Sequence, residues 1–244
     1  MRRLLVINPN TSGSVTSLLQ THVQAAAGPD VRVTTITARF GAAYIACEAS
    51  YAVASHATLD AWAATLAQPG TWPDAVLIGC FGDPGLLALR ESSAAPVTGL
   101  AEAAFTVAAR HGRFAIVTGG ERWGPMLQRL AKVLGMDGAL AGIHTVEPTG
   151  AELSANPVWA HQLLAQACRD AAQRFGAQAV ILGGAGLAGM AAAIQGAVDV
   201  PVIDSVIAGT QLALGGTLPV PERTAPAFDA QWSGVPAEMR ALGR

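Results

Sequence analysis

The chain has 244 residues, 51% of them hydrophobic and 13% charged, with a net charge of −2 and a pI near 6.2. That length admits one large domain or two small ones, each with its own core, and the composition excludes a disordered chain. Lys132 is the only lysine and no basic run occurs, so the clustered cations that nucleic acid requires are lacking.

In chain order, the opening Met1-Arg2-Arg3-Leu4-Leu5-Val6-Ile7 imitates a signal peptide, but its apolar run stops at Asn8, short of a secretory core. Buried strands are expected at Leu4–Ile7, Val31–Ile36, Ala75–Ile78, Val97–Leu100, Phe114–Val117, Gly142–Val146, Ala179–Leu182 and Val200–Ile203. Segments with apolar residues at helical spacing lie between them, and Val15, Leu18, Leu19, His22 and Val23 mark the first such face. Strands alternating with helices imply parallel sheets built from βαβ units. The apolar stretch Ala179–Ile194 is broken by glycines and short for a membrane span, so it reads as strand, loop and helix. Leu218-Pro219-Val220-Pro221 onward is Pro-punctuated and reads as irregular before a short last helix.

An internal repeat sets the domain plan, with matching segments about a hundred residues apart. Val76-Leu77-Ile78-Gly79-Cys80 matches Val180-Ile181-Leu182-Gly183-Gly184, and Pro96-Val97 matches Pro201-Val202. Val33-Thr34-Thr35 resembles Ile143-His144-Thr145, and Phe114–Thr118 aligns with Leu4–Asn8. Two copies of a four-strand α/β unit follow. The expected division is residues 1–98 plus 209–244 for the first domain and 99–208 for the second.

In open α/β sheets ligands bind beyond the carboxyl ends of the strands. Four strand ends carry distinctive loops: Asn8-Pro9-Asn10-Thr11-Ser12, Cys80-Phe81-Gly82-Asp83-Pro84-Gly85, Thr118-Gly119-Gly120-Glu121 and Gly183-Gly184-Ala185-Gly186. Cys80 follows a strand and precedes a helix expected near Pro84, with Asp83 as N-cap. A helix N-terminus there would favour the thiolate, and backbone N–H groups of Phe81 and Gly82 would hold a carboxylate or enolate oxygen. The Asp83 charge works against the thiolate. A buried structural cysteine is the competing reading for Cys80. Cys47 and Cys168 read as small core residues beside or within helices. Three thiols far apart form neither a disulfide framework nor a zinc site. None of the five histidines has a partner at ligand spacing, so no metal is expected. A reducing cytoplasm is the expected location.

Gly184-Ala185-Gly186-Leu187-Ala188-Gly189 is formally G-x-G-x-x-G, with Asp204 ending the next strand. It begins three-quarters of the way along, too late for a nucleotide fold. Its repeat mate, Cys80 to Gly85, has the same glycine skeleton, so the pattern reads as a property of both half-loops rather than of a dinucleotide site.

Ile7-Asn8-Pro9-Asn10-Thr11-Ser12, Ile78-Gly79-Cys80-Phe81-Gly82-Asp83-Pro84-Gly85-Leu86, Pro96-Val97-Thr98-Gly99-Leu100-Ala101-Glu102-Ala103 and Thr118-Gly119-Gly120-Glu121-Arg122-Trp123 resemble the hydantoin/allantoin racemase branch of the aspartate/glutamate racemase superfamily. The resemblance implies two pseudo-symmetric flavodoxin-like domains, each with a mainly parallel four-stranded sheet flanked by helices, and an active site in the interdomain cleft. It implies chemistry without a cofactor, at a carbon next to a carbonyl, through two cysteines on opposite faces of a small substrate. The first cysteine maps onto Cys80. The second maps onto Gly184, where this chain departs from the pattern. The resemblance and the strand-end positions together assign Asn10, Thr11, Thr118 and Gly119 to polar substrate groups, and Phe81, Gly82, Ala185 and Gly186 to backbone donation. Glu102 either contacts substrate or favours its own helix N-terminus.

A single thiol serves one face of a planar enolate and does not by itself invert a carbon. Three readings stay open: a racemase whose second face is served by water or another group, a one-cysteine decarboxylase of disubstituted (aryl)malonates, and a ligand-binding protein with little turnover. Restoring a cysteine at 184 is expected to raise racemisation. The Ala-rich helices suit a homo-oligomer.

Overall fold

The computed structural model describes residues 1–70, 72–215 and 231–242. Four strands, β1 (Arg2–Asn8), β2 (Val31–Thr37), β3 (Ala75–Ile78) and β4 (Val97–Gly99), form one sheet in the order β2-β1-β3-β4. Four more, β5 (Phe114–Gly119), β6 (Leu140–Val146), β7 (Ala179–Gly183) and β8 (Val202–Asp204), form a second in the order β6-β5-β7-β8. Adding four to each strand number of the first order reproduces the second, so the sequence repeat is also a repeat of topology. β1 runs parallel to β2 and β3, with Leu4 opposite both Val33 and Ala75. β5 runs parallel to β6 and β7, and β7 to β8.

All eight expected strands are present, with ends shifted by a residue or two. β8 starts at Val202 rather than Val200 because Pro201 has no N–H to give a ladder; its carbonyl instead accepts from Val180 N–H at 2.9 Å. The stretch 179–194 resolves into β7, a 3-10 turn (Ala185–Leu187) and a short helix, and no helix among the described residues is long and apolar enough to cross a membrane. The segment Leu218–Pro221 lies outside the described residues.

The helices between strands are α1 (Gly13–Ala27), α2 (Glu48–Leu66), α3 (Leu86–Ser92), α4 (Leu100–Ala108), α5 (Trp123–Val133), α6 (Gly150–Ala155), α7 (Pro157–Phe175), α8 (Met190–Ile194) and α9 (Ser205–Gly215), with α10 (Ala237–Arg240) near the end. The chain divides into two compact units. Unit 1 takes Met1–Gly79, Asp83–Thr98 and Gln211–Arg244; unit 2 takes Cys80–Gly82 and Gly99–Thr210.

Unit 1 buries Leu4, Val6, Ile7, Leu77 and Ile78 of its central strands with Leu19, Val23 and Trp62 from α1 and α2. Unit 2 packs Ala115, Val117, Val180 and Leu182 against Leu164, Cys168 and Ala171 of α7 and Ile194 of α8. Small alanines on the helices let them lie close to strands that are apolar on both faces. In unit 1 a bidentate ion pair fixes α2: Arg39 Nε and Nη2 donate to Asp60 at 2.8 and 2.6 Å, and Asp60 is 1% exposed. Glu238 of α10 lies 3.6 Å from the same guanidinium. The Asp60 hydrogen bonds come first among the interactions that hold the Arg39 pKa above its ordinary value.

Both sheets end on edge strands whose outward backbone groups are met by glutamine side chains. On β2, Gln24 donates to Gly28 and Val31 carbonyls, each at 3.0 Å, and accepts from Val33 N–H at 3.2 Å. Gln20 donates to the Val33 carbonyl and accepts from Thr35 N–H. At β8, Gln195 donates to the Val198 and Val200 carbonyls and accepts from Val202 N–H. An amide carries a donor and an acceptor on one planar group, so it imitates a missing strand. This closes an edge that would otherwise template aggregation. Gln24→Ala is therefore expected to cost about 1–3 kcal/mol in urea unfolding and to raise the aggregation rate measured by light scattering, although Ala is the better helix former.

Candidate active site

The chemistry-bearing loops leave the sheets at the carboxyl ends of β1, β3, β5 and β7. β1 ends on Asn8, which is buried: its amide donates to Ser12 carbonyl and Thr16 Oγ, both at 3.0 Å, while its oxygen accepts from Asn10 N–H. Asn10 Oδ1 in turn accepts from Ser12 N–H at 2.9 Å, and Ser12 caps α1. The Asn10 amide nitrogen has no hydrogen-bond partner among the described residues, so it is left as a donor. Thr11 is exposed beside it. Both belong to unit 1.

Cys80 follows β3 and is buried, with 8% of the residue exposed. The helix after it begins later than expected. Asp83 is not its N-cap: α3 starts at Leu86, behind Gly85 at φ +83°, and has only seven residues. The reason is the turn itself. Gly82 has φ +154°, and Asp83 sits at φ +53°, the one non-glycine residue at positive φ among those described. Such backbone costs about 1 kcal/mol or more in a residue with a Cβ, and strain of this kind gathers at functional loops. So short and distant a helix lends Cys80 little of the dipole that the Pro84 start would have supplied.

The loop is fixed from one side by α2, through contacts that no local pattern announces. Thr58, fully buried, donates to the Pro84 carbonyl at 3.0 Å. A Cβ on Gly85 would lie 2.9 Å from the Ser55 carbonyl oxygen, so a glycine there serves both the positive φ and the close approach.

In unit 2, β5 and β7 pair so that Thr118 stands opposite Gly183. Thr118 is buried, and its hydroxyl has no hydrogen-bond partner among the described residues. Gly119 closes β5, and Gly120, at φ +90°, turns the chain into α5. Phe81, 4% exposed, stands against Gly183. Unit 2 thus collects Cys80, Phe81 and Gly82 with Thr118, Gly119 and the Gly183–Gly186 loop. Glu102 lies in the first turn of α4, which packs on β7.

Gly184 is where the two half-loops part. It has φ +146° and ψ +134°, a region that is nearly closed to residues with a side chain, whereas Cys80 has no positive φ. Its N–H donates to Ser205 Oγ at 3.2 Å, and its carbonyl accepts from Leu187. Ser205 is 1% exposed. It went unnoticed in the sequence because it enters through a neighbouring strand, its only signal being that it follows Asp204 at a strand-to-helix junction. Asp204 is used structurally: Oδ2 accepts from Gly189 N–H at 2.7 Å, and Oδ1 from Val206 and Ile207 N–H. A carboxylate that caps α9 and ties down the loop is not arranged as a ribose acceptor, which removes the main support for the dinucleotide reading. No cluster of three His, Cys, Asp or Glu residues arranged for a metal occurs among the described residues.

Comparison with known proteins identifies the family. The model of the Asp/Glu/hydantoin racemase family covers residues 4–213. The chain belongs to that family. It is 32% identical over 222 residues to a hydantoin racemase of Pseudomonas sp. (strain NS671), covering 86% of this chain and 84% of that one. It is 33% identical over 213 residues to a hydantoin racemase of Paenarthrobacter aurescens, covering 86% and 89%. The allantoin racemase structure from Klebsiella pneumoniae superposes with a TM-score of 0.81 at 32% identity, covering 88% of this chain and 86% of that one. The protein is a racemase-family isomerase.

The other two cysteines have structural surroundings. Cys47 sits at the start of α2, where Ser50 Oγ accepts its N–H at 3.0 Å. Cys168 lies wholly inside the unit 2 core, and burial pushes its thiol up from an ordinary 9.0 to about 12. Because the folded value is the higher one, its contribution to stability is complete below pH 9 and is lost as pH rises towards 12. Cys168 is expected to resist iodoacetamide at pH 8 until the protein unfolds, as followed by peptide mass spectrometry. Stability should fall over that alkaline window, and less so in Cys168→Ala once its cavity cost is subtracted.

Proposed function

We propose that the protein is a cofactor-independent isomerase that uses Cys80 as its acid–base thiol at a carbon alpha to a carbonyl. The substrate class is a hydantoin, allantoin or a related amino-acid derivative. The observation that carries this reading is the position of Cys80. It stands at the end of β3, barely accessible, in a family whose named relatives are hydantoin and allantoin racemases.

As a thiolate, Cys80 removes the α-proton from one face and leaves a planar enolate whose charge sits on the carbonyl oxygen. Backbone N–H groups of Phe81, Gly82, Ala185 and Gly186 are the donors to that oxygen, and Thr118 and Gly119 hold the polar ring atoms. Glu102, in the first turn of α4, either contacts substrate or favours the N-terminus of its own helix. The proton returned by Cys80 restores the starting configuration, while one delivered by water to the other face inverts it. The Gly184 N–H is given to Ser205 Oγ.

Heavy-water incubation of 5-substituted hydantoins, with NMR and polarimetry, tests this reading. Deuterium should enter the α-position, and optical rotation should decay no faster than exchange. Cys80→Ala is expected to lower exchange by about 10²–10⁴-fold, the usual worth of a positioned acid–base. Full exchange in that variant would remove Cys80 from the mechanism.

The backbone of Gly184 also supports a second reading, in which a lone thiol protonates the enolate left by decarboxylation of a disubstituted malonate. Carbon dioxide release from an arylmalonate is its signal. The same torsion angles revise what a restored cysteine would do. Space is present, since a Cβ at 184 meets only Leu187 at 3.5 Å, but φ +146° disfavours any side chain. Gly184→Cys is therefore expected to cost about 1–3 kcal/mol of stability, with no gain in racemisation unless the loop rebuilds. A faster racemase at unchanged melting temperature would contradict this.

A further inference from the structure

We propose that the Phe81 side chain is a positioning residue for Cys80, seated on the bare backbone of Gly183. The inference rests on Cys80 being the reacting thiol and adds what holds it. Gly183 does not have a positive φ, so conformation does not demand glycine there. What demands it is the ring: a Cβ at 183 would overlap Cε1, Cδ1 and Cζ of Phe81. The ring also meets Phe105 edge-on, with centroids 6.1 Å apart at 84°. Phe105 in turn lies against Phe114 at 5.4 Å, both of them fully buried.

Phe81 is thereby the first member of an aromatic row that reaches β5, and its seat is the last residue of β7. Both strands are core elements of unit 2, so this anchor is rigid. Cys80 is its immediate chain neighbour, flanked on the other side by Gly79, whose N–H donates to the Ile7 carbonyl at 2.8 Å. Gly79 is itself closely packed, since a Cβ there would come within 2.6 Å of Leu19 Cδ1.

A sulfur that must reach one hydrogen of a bound substrate tolerates little drift, and about 1 Å of misplacement costs on the order of 100-fold in rate. Gly183→Ala adds only the methyl that the ring excludes. It is expected to lower kcat for α-proton exchange by about 100-fold, to leave KM within a few-fold, and to change the pH profile of Cys80 alkylation read by peptide mass spectrometry. Phe81→Leu in the same chain removes Cε1 and Cζ, two of the three ring carbons that collide, and releases the δ carbons from the plane of the ring. The double variant should regain about tenfold or more of the lost kcat and part of the alkylation profile. Phe81→Ala gives the unseated state directly where it folds.

Kcat and alkylation profile within about twofold of wild type in Gly183→Ala would overturn the proposal. So would a loss that follows melting temperature, leaves the alkylation profile unchanged and is not relieved in the double variant. These outcomes differ from failure of the parent reading. If Cys80→Ala retains exchange, the acid–base assignment falls, while the alkylation profile still reports whether the ring governs the surroundings of the thiol.

Discussion

Parallel strands buried on both faces leave almost no place for polar chemistry except their ends. β3 and β7 are wholly buried along their length, and so are the neighbours they pair with most closely, β1 over Leu4–Asn8 and the whole of β5. The polar groups a substrate can meet at these strands therefore gather at the carboxyl ends, on the last strand residues such as Thr118 and on the loops that follow. The glycines at these loops follow from that constraint, because loops leaving a packed core must turn sharply and lie close to their neighbours. At Gly85 the neighbour is a helix backbone, at Gly183 an aromatic ring.

Within this scheme the two half-loops part from their first residue. Cys80 and Gly184 occupy corresponding positions after corresponding strands. One carries a side chain at a φ that is not positive; the other is a backbone turn with an N–H bound to Ser205. The difference is more than a deleted thiomethyl group. The second loop has taken a path that side chains avoid, and a buried serine and an aspartate cap hold it there. The second loop therefore differs from the first in its backbone as well as in its side chain.

Much of the fold was legible because its signals are local. Four consecutive apolar residues marked each of β1, β3, β5 and β7, and the repeated Leu-Gly or Ile-Gly at two strand ends exposed the duplication. The onset of α3 was misread for a local reason too: Asp83-Pro84 is a good cap and first-turn pair, but Asp83 is held in left-handed backbone by the turn. Thr58 and Ser205 were invisible because their partners, Pro84 and Gly184, lie 26 and 21 residues away, and neither residue type is unusual where it stands.

The sequence by itself determined the alternation of strand and helix, the twofold repeat and the placement of one cysteine after a buried strand. Each of these depends on the order of residue types along a few turns of chain. The tertiary structure alone decided that Gly183 is the seat of a phenylalanine, that Gly184 takes a path closed to side chains, and that Asp204 is occupied as a cap. Those outcomes depend on which atoms of distant segments compete for the same volume and the same hydrogen bonds. No linear pattern encodes that competition; only packing resolves it.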